Sequence, residues 1–228
     1  MINDTDKHKL KATAIGLEGS VGLGTLATGA LTLSMMGMHG RNRYDLPAST
    51  IAKVKKHVAP DYKGQPTVRR YVQSMYNPFT KEVHSAPHLG HLAHELGHAS
   101  DKVLEHPVGL AASTAARIVS TRGALPLTAA AAYLGASRKK GDKMTTADKA
   151  VLGTSGAASA ITLGHEAYAS LKAHHGLKTM LKSHGKAFKY TKSLIPALGT
   201  YAVAAAMPFA GYALARKARE KIDNNSVK

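Results

Sequence analysis

His91-Leu92-Ala93-His94-Glu95-Leu96-Gly97-His98-Ala99-Ser100-Asp101 is the stretch from which the rest of the chain is read. It contains H-E-x-x-H. On an α-helix, residues four apart share a face, so His94 and His98 can hold one metal ion between them. Glu95, one position further, stands beside that ion rather than on it, where a carboxylate serves as a general base. Apolar Leu92, Ala93, Leu96 and Ala99 would pack the helix while the histidines face a cleft. The metal expected is Zn2+, which needs a third protein ligand besides two histidines and leaves a fourth position for water.

Composition narrows the source of that ligand. The 228 residues suffice for one domain, or for a small domain with helical extensions. No cysteine is present, which excludes disulfides and thiolate zinc sites and leaves thirteen histidines and the carboxylates. A net charge of +17 admits nucleic acid, an anionic membrane surface or simple solubility. Aromatics make up only 5% and tryptophan is absent, so a stacking platform for single strands is undersupplied. The basic residues fall beside apolar runs rather than in one patch. That placement favours membrane lipid as a partner over any specific nucleic acid.

Residues 1–11 are polar, and the run from Gly19 to Met38 then carries no charge before His39, Arg41 and Arg43. Its length suits a membrane helix. Gly16, Ser20 and Gly24, four apart, form the small-residue stripe that lets such helices approach closely. Residues 47–58 read as an amphipathic helix capped by Ser49 or Thr50, with Ile51, Val54 and Val58 as its apolar stripe. Pro66 to Ser74 has strand character, Asn77-Pro78 marks a turn, and Lys81 to Ser85 alternates again. A hairpin therefore leads into the histidine helix. Its second arm, with Glu82, Val83, His84 and Ser85, could pair with an extended polypeptide substrate. Beyond His98 the chain is rich in alanine, with apolar runs at 108–136 (interrupted by Arg117 and Arg122), 150–164 and 193–215.

Few acids follow His98. A metzincin-type extension would need glycine at 101 and histidine at 104, where this chain has Asp101 and Leu104; near Ile118 no acid occurs at all. Asp101 and Glu105 are too close to the helix to turn back, and Asp142 and Asp148 lie in a lysine-rich loop where a solvated charge is expected. Glu166 ends an apolar run, where an acid is costly unless something pairs with it. If 19–38, 108–136, 150–165 and 193–215 each cross a bilayer, His94, His98 and Glu166 emerge on the same side. Ser170, one turn later, could support a ligand by hydrogen bonding; His165 is a rival ligand. Tyr168 and Tyr201 are candidates to donate a hydrogen bond in the transition state. His84, His88 and His91 form a further cluster, expected to bond around the cleft or face solvent. The segment with His174, His175 and His184 among lysines reads as a basic surface for anionic headgroups.

Tyr76-Asn-Pro-Phe-Thr-Lys-Glu-Val-His-Ser85, the His94–His98 helix, a helical hairpin and Glu166-Ala-Tyr-Ala-Ser170 occur in that order. This arrangement resembles the bacterial membrane-associated neutral zinc metallopeptidases. Gly199-Thr200-Tyr201-Ala202-Val203-Ala204 is similar to their alanine-rich final membrane helix. The resemblance covers roughly residues 47 to 210 and implies zinc ligation by His94, His98 and Glu166, with Glu95 as base. The chain departs from that pattern in its short link between hairpin and zinc helix, in Arg117 and Arg122, and in its high lysine content.

The expectation is thus a mainly α protein with a zincin-like H-E-x-x-H helix, a small β-hairpin and up to four alanine- and glycine-rich transmembrane helices. Its expected parts are residues 1–43, a polar segment and membrane helix; 44–106, the metallopeptidase core; 107–192, a helical hairpin that returns the third ligand, then a basic helix; and 193–228, a last membrane helix and basic tail. The expected function is zinc endopeptidase, in a multi-pass prokaryotic or viral-like membrane protein with its site on the non-cytoplasmic side. The alternative is a catalytically silent structural or interaction protein that keeps the same fold. Glu95→Gln separates the two.

Overall fold

Long runs of alanine, leucine and lysine, broken by few prolines, favour helix over most of the chain. The computed structural model describes residues 3–39, 46–69 and 74–226, and it is mainly helical. In order, the elements are α1 (Asp4–His39), α2 (Ala48–Val58), β1 (Thr67–Val68), β2 (Met75–Asn77) and β3 (Glu82–Ser85); then α3 (Leu89–Ala99), α4 (Lys102–Glu105), α5 (Pro107–Thr121) and α6 (Ala124–Ala136); and last α7 (Thr146–Leu181), α8 (His184–Thr191) and α9 (Leu194–Ser226). They form two compact units, each assembled from separated pieces of chain rather than from consecutive segments. One takes residues 31–114 and 163–199 and holds the histidine helix; the other takes the chain up to 30, 115–162 and 200 onward.

In the unit with the histidine helix, α2 begins at Pro47, whose carbonyl accepts from Thr50 N at 2.9 Å and Ile51 N at 3.0 Å; neither Ser49 nor Thr50 caps it. Its stripe does bury Val54 and Val58, at 0% and 1% exposure. The hairpin is β2 with β3, in register Tyr76↔Val83 and Asn77↔Glu82. The Asn77 side chain accepts from Phe79 N at 3.0 Å and Thr80 N at 3.3 Å, and Lys81 turns the chain with φ 57°. The first expected arm therefore moves from 66–74 to 75–77, because Asn77 supplies the turn chemistry that fixes the register. Residues 70–73 of that arm, and Arg41 and Arg43 after the first apolar run, lie outside the described residues. Thr67 and Val68 form a third strand, parallel to β3, in the order β1-β3-β2.

That order bears on Glu82, Val83, His84 and Ser85, the strand expected to take substrate. β3 is the central strand, with His84 opposite both Thr67 and Met75, so its ladder groups there are already used by the chain itself. Helix α3 packs on β3, β2, α2 and α8. Leu92, Ala93 and Leu96 are fully buried and join Val54, Val58, Val83 and Leu177 in one core.

The second unit is helical and packs through small side chains. Ala12, Ala132, Ala136 and Ala215 form one cluster, and Ala131, Leu152 and Tyr212 another. The stripe on α1 faces α9: a Cβ on Gly16 would lie 2.7 Å from Gly211 O, Ser20 Oγ lies beside Gly211, and Gly24 rests on Met207. Asp148, expected in solvent, is fully buried. It closes a capping box at the start of α7, accepting from Thr145 N at 2.7 Å, and its other partner is Arg138, with Nε 3.0 Å from Oδ2.

Two helices, Asp4–Leu33 within α1 and Leu194–Ser226, are long and apolar enough to cross a membrane. The 108–136 run is broken at Arg122-Gly123 into α5 and α6, and the 150–165 run is the first part of the 36-residue α7.

Candidate metal centre

Helices α3 and α7 meet at Gly97. A Cβ there would sit 2.5 Å from the Ala169 carbonyl oxygen and 2.8 Å from Ala169 Cα, so only glycine permits this approach without displacing backbone. One turn before Gly97 on α3 is His94, and His98 follows it; on α7, Glu166 and Ser170 flank Ala169. The close contact therefore carries the group as well as the packing.

Glu166 Oε2 lies 3.2 Å from His94 Nε2 and 3.5 Å from His98 Nε2. The three ligand atoms all fall within 4.8 Å of one another. Two nitrogens and an oxygen bound to one tetrahedral zinc at about 2.0–2.1 Å would stand about 3.4 Å apart, so both Glu166 distances match the edge of such a polyhedron. His98 and Glu166 are buried, at 8% and 7% exposure. Burial alone would push the Glu166 carboxyl up, but hydrogen bonds and charge from His94 and His98 outweigh it and hold the group well below the ordinary carboxylate range.

Ser170 Oγ lies 3.3 Å from His94 Nδ1, so residues one turn apart on α7 engage both nitrogens of the same imidazole. The hydroxyl suits either tautomer, donating to a bare Nδ1 or accepting from Nδ1–H. Once Nε2 is a metal ligand, Nδ1 carries the proton and Ser170 accepts it. Glu95 is buried on α3 at 7% exposure.

His165 is turned away from this group. Its Nδ1 lies 2.5 Å from Asp101 Oδ2 and its Nε2 2.6 Å from Ser113 Oγ, so both ring nitrogens are engaged and it does not compete as a ligand. Asp101 also caps α4 by accepting from Val103 N at 3.0 Å. The carboxylate accepts, so His165 carries its proton on Nδ1. The single Ser113 hydrogen goes either to Nε2 or to Gly109 O, 2.7 Å away. This chain of three residues ties α5, α7 and the end of α3 together beside Glu166. In the sequence, the signal for this cap is the position of Asp101 just before a short helical stretch.

Tyr168 donates to Ser100 O at 3.3 Å, which uses its hydroxyl on the end of α3 instead of on a reacting group. Tyr201 falls in the stretch of α9 that belongs to the helical unit. The His88 and His91 rings meet at a tilt with centroids 4.8 Å apart, and His84 Nε2 lies 3.7 Å from Glu82 Oε2. Among the described residues, the group able to hold a metal is His94, His98 and Glu166. Comparison with family models, with curated proteins and with solved structures gives no match.

Proposed function

We propose that the chain is a membrane-associated zinc-dependent endopeptidase, a zincin-like fold in the manner of the bacterial membrane-associated neutral zinc metallopeptidases. One observation carries this reading: Glu166, 72 residues from His94 in sequence, has a single carboxylate oxygen within 3.5 Å of the Nε2 atoms of both histidines. Two imidazoles and one carboxylate are the donor set of an open catalytic zinc site.

His94, His98 and Glu166 would hold the ion, and Ser170 would orient the His94 ring. Bound zinc supplies a Lewis acid that polarises a carbonyl and lowers the pKa of a water to about 7. Glu95, next to His94 on α3, takes up the proton released and returns it to the leaving amine. The membrane reading rests on α1 and α9, each long and apolar enough to span. If 108–136 and 150–165 cross as well, lysine and arginine density in residues 1–11, 137–149 and the C-terminal tail favours those segments on the cytoplasmic side and the site on the other.

Elemental analysis of wild type and Glu166→Ala, purified identically, tests the ligand set. One zinc per chain is expected in the wild type, with affinity in the variant at least about 100-fold weaker, beyond the 10–100-fold typical of outer-shell changes. Equal zinc in both would remove Glu166 from the set. For the reaction, Glu95→Gln should keep zinc and lose cleavage of unfolded polypeptides.

The second reading is a catalytically silent structural protein with the same site. Its support is the central position of β3, which leaves the expected substrate strand paired on both sides at His84. Zinc in the wild type with no cleavage above that of Glu95→Gln would favour it.

A further inference from the structure

Between Glu166 and the start of α9 the chain carries no carboxylate and six lysines: Lys172, Lys178, Lys182, Lys186, Lys189 and Lys192. The structure gives this charge a defined platform. α7 ends in a left-handed Lys182, φ 49°, with Ser183 N reaching back to Lys178 O at 3.3 Å, the closure of a Schellman turn. Ser183 then caps α8 by accepting from Lys186 N at 3.3 Å.

One face of α8 is fastened down. Ala187 and Thr191 are buried, Thr191 Oγ1 lies 3.0 Å from His174 Nδ1, and the carbonyl of Tyr190 closes over Gly90 of α3. Thr191 gives its own hydrogen to Ala187 O at 3.2 Å, so it accepts from Nδ1–H of His174, whose Nε2 meets His184 Nδ1 at 3.1 Å. The opposite face is open. Lys186 and Lys189 are exposed there, and Phe188, at 46% exposure, stands at the edge of that face beside Lys189. Lys192 and Ser193 are all that separates α8 from α9, one of the two helices able to span a membrane.

We infer that the outer face of α8, with exposed Phe188 and its lysines, lies on an anionic lipid surface. Phe188 enters the boundary between headgroups and acyl chains, and Lys178, Lys186 and Lys189 contact phosphates. The inference rests on the reading of α9 as a membrane helix: a basic, partly apolar helix two residues from a span is held at headgroup depth by the chain itself. An exposed phenylalanine is then explained, because it finds an apolar medium there. A nucleic-acid groove would be served by the lysines but gives no account of the adjacent span.

The absence of tryptophan supplies the test. Full-length protein carrying Phe188→Trp is reconstituted in vesicles of phosphatidylcholine alone and of phosphatidylcholine mixed with phosphatidylglycerol. The expected result is blue-shifted emission, quenched by brominated acyl chains, in the anionic vesicles and water-like emission in the neutral ones. Adding Lys178→Gln, Lys186→Gln and Lys189→Gln should return the anionic sample to the neutral spectrum, with apparent affinity for anionic lipid falling roughly fivefold per lysine removed. Water-like emission in both vesicles overturns the inference, and so does equal insertion in both. A spectrum that changes only on adding single-stranded oligonucleotide would assign the face to nucleic acid instead. Alkaline extraction reads α9 separately: release of the protein counts against the anchor, while the reporter at position 188 decides α8 in either case.

Discussion

The two units solve the packing problem with different side chains. The unit with the candidate metal centre fills its core with Leu92, Leu96, Leu177, Val54, Val58 and Val83. In the helical unit, the buried clusters are built mainly from alanine, and glycines at 16, 135 and 211 bring helices to backbone contact. Large aliphatic cores draw their stability from water exclusion, a force available only when the alternative is exposure to water. Close helix contact through small residues draws on dispersion, as helices in lipid must. Hydroxyls in the helical unit are bonded within it: Ser20 donates to Leu17 O at 3.0 Å, Thr128 to Ala124 O at 2.7 Å, and Ser120 meets Thr162 at 2.9 Å. The contrast teaches that one chain packs by two rules, with large aliphatic side chains in one unit and small ones in the other.

The largest effect expected from breaking this contrast is in the helical unit, at its buried ion pair. Arg138→Met leaves Asp148 fully buried without its counter-charge, a loss of about 3–5 kcal/mol. Hydrogen exchange should show it as lost protection at the start of α7. A loss under 1 kcal/mol would mean that the Thr145 cap alone satisfies Asp148.

Next is Leu96→Ala in the aliphatic core, at about 2–5 kcal/mol, set against Ala132→Gly in the alanine core, at about 1 kcal/mol. Urea unfolding of detergent-solubilised protein measures both. Equal losses would erase the distinction between the two cores.

The smallest effect on stability comes from a change that sharpens the site rather than the core. Ser170→Ala removes one hydroxyl from His94 Nδ1 and should weaken zinc 10–100-fold, as outer-shell hydrogen bonds do, with little change in melting. A chelator-competition titration reads it. Unchanged affinity would make Ser170 a packing residue.

Much of the site was legible because its elements are local. Four-residue spacing puts His94 and His98 on one face, and the same periodicity places Glu166 and Ser170 together one turn apart on α7. The small-residue stripe Gly16, Ser20 and Gly24 was equally visible, and it faces α9. Illegible were the partners of polar groups. Asp148 stands among lysines in sequence but is covered by Arg138, and Asp101 meets His165 across 64 residues. Charge-neighbour arguments fail there because burial depends on what packs above a residue, which its own neighbours in sequence do not record.

By itself, then, the sequence determined the helical content, the pairing of His94 with His98, the place of Glu95 next to His94 and the apolar length of two segments. Those follow from backbone periodicity and side-chain transfer energies, which act within a few turns. Tertiary structure decided that Glu166 and not His165 faces the histidines, that β3 lies between two strands, and that Gly97 sets the spacing of α3 on α7. Each is a choice among contacts distant in the chain. Steric fit between whole elements settles them, so no single stretch of residues contains the answer.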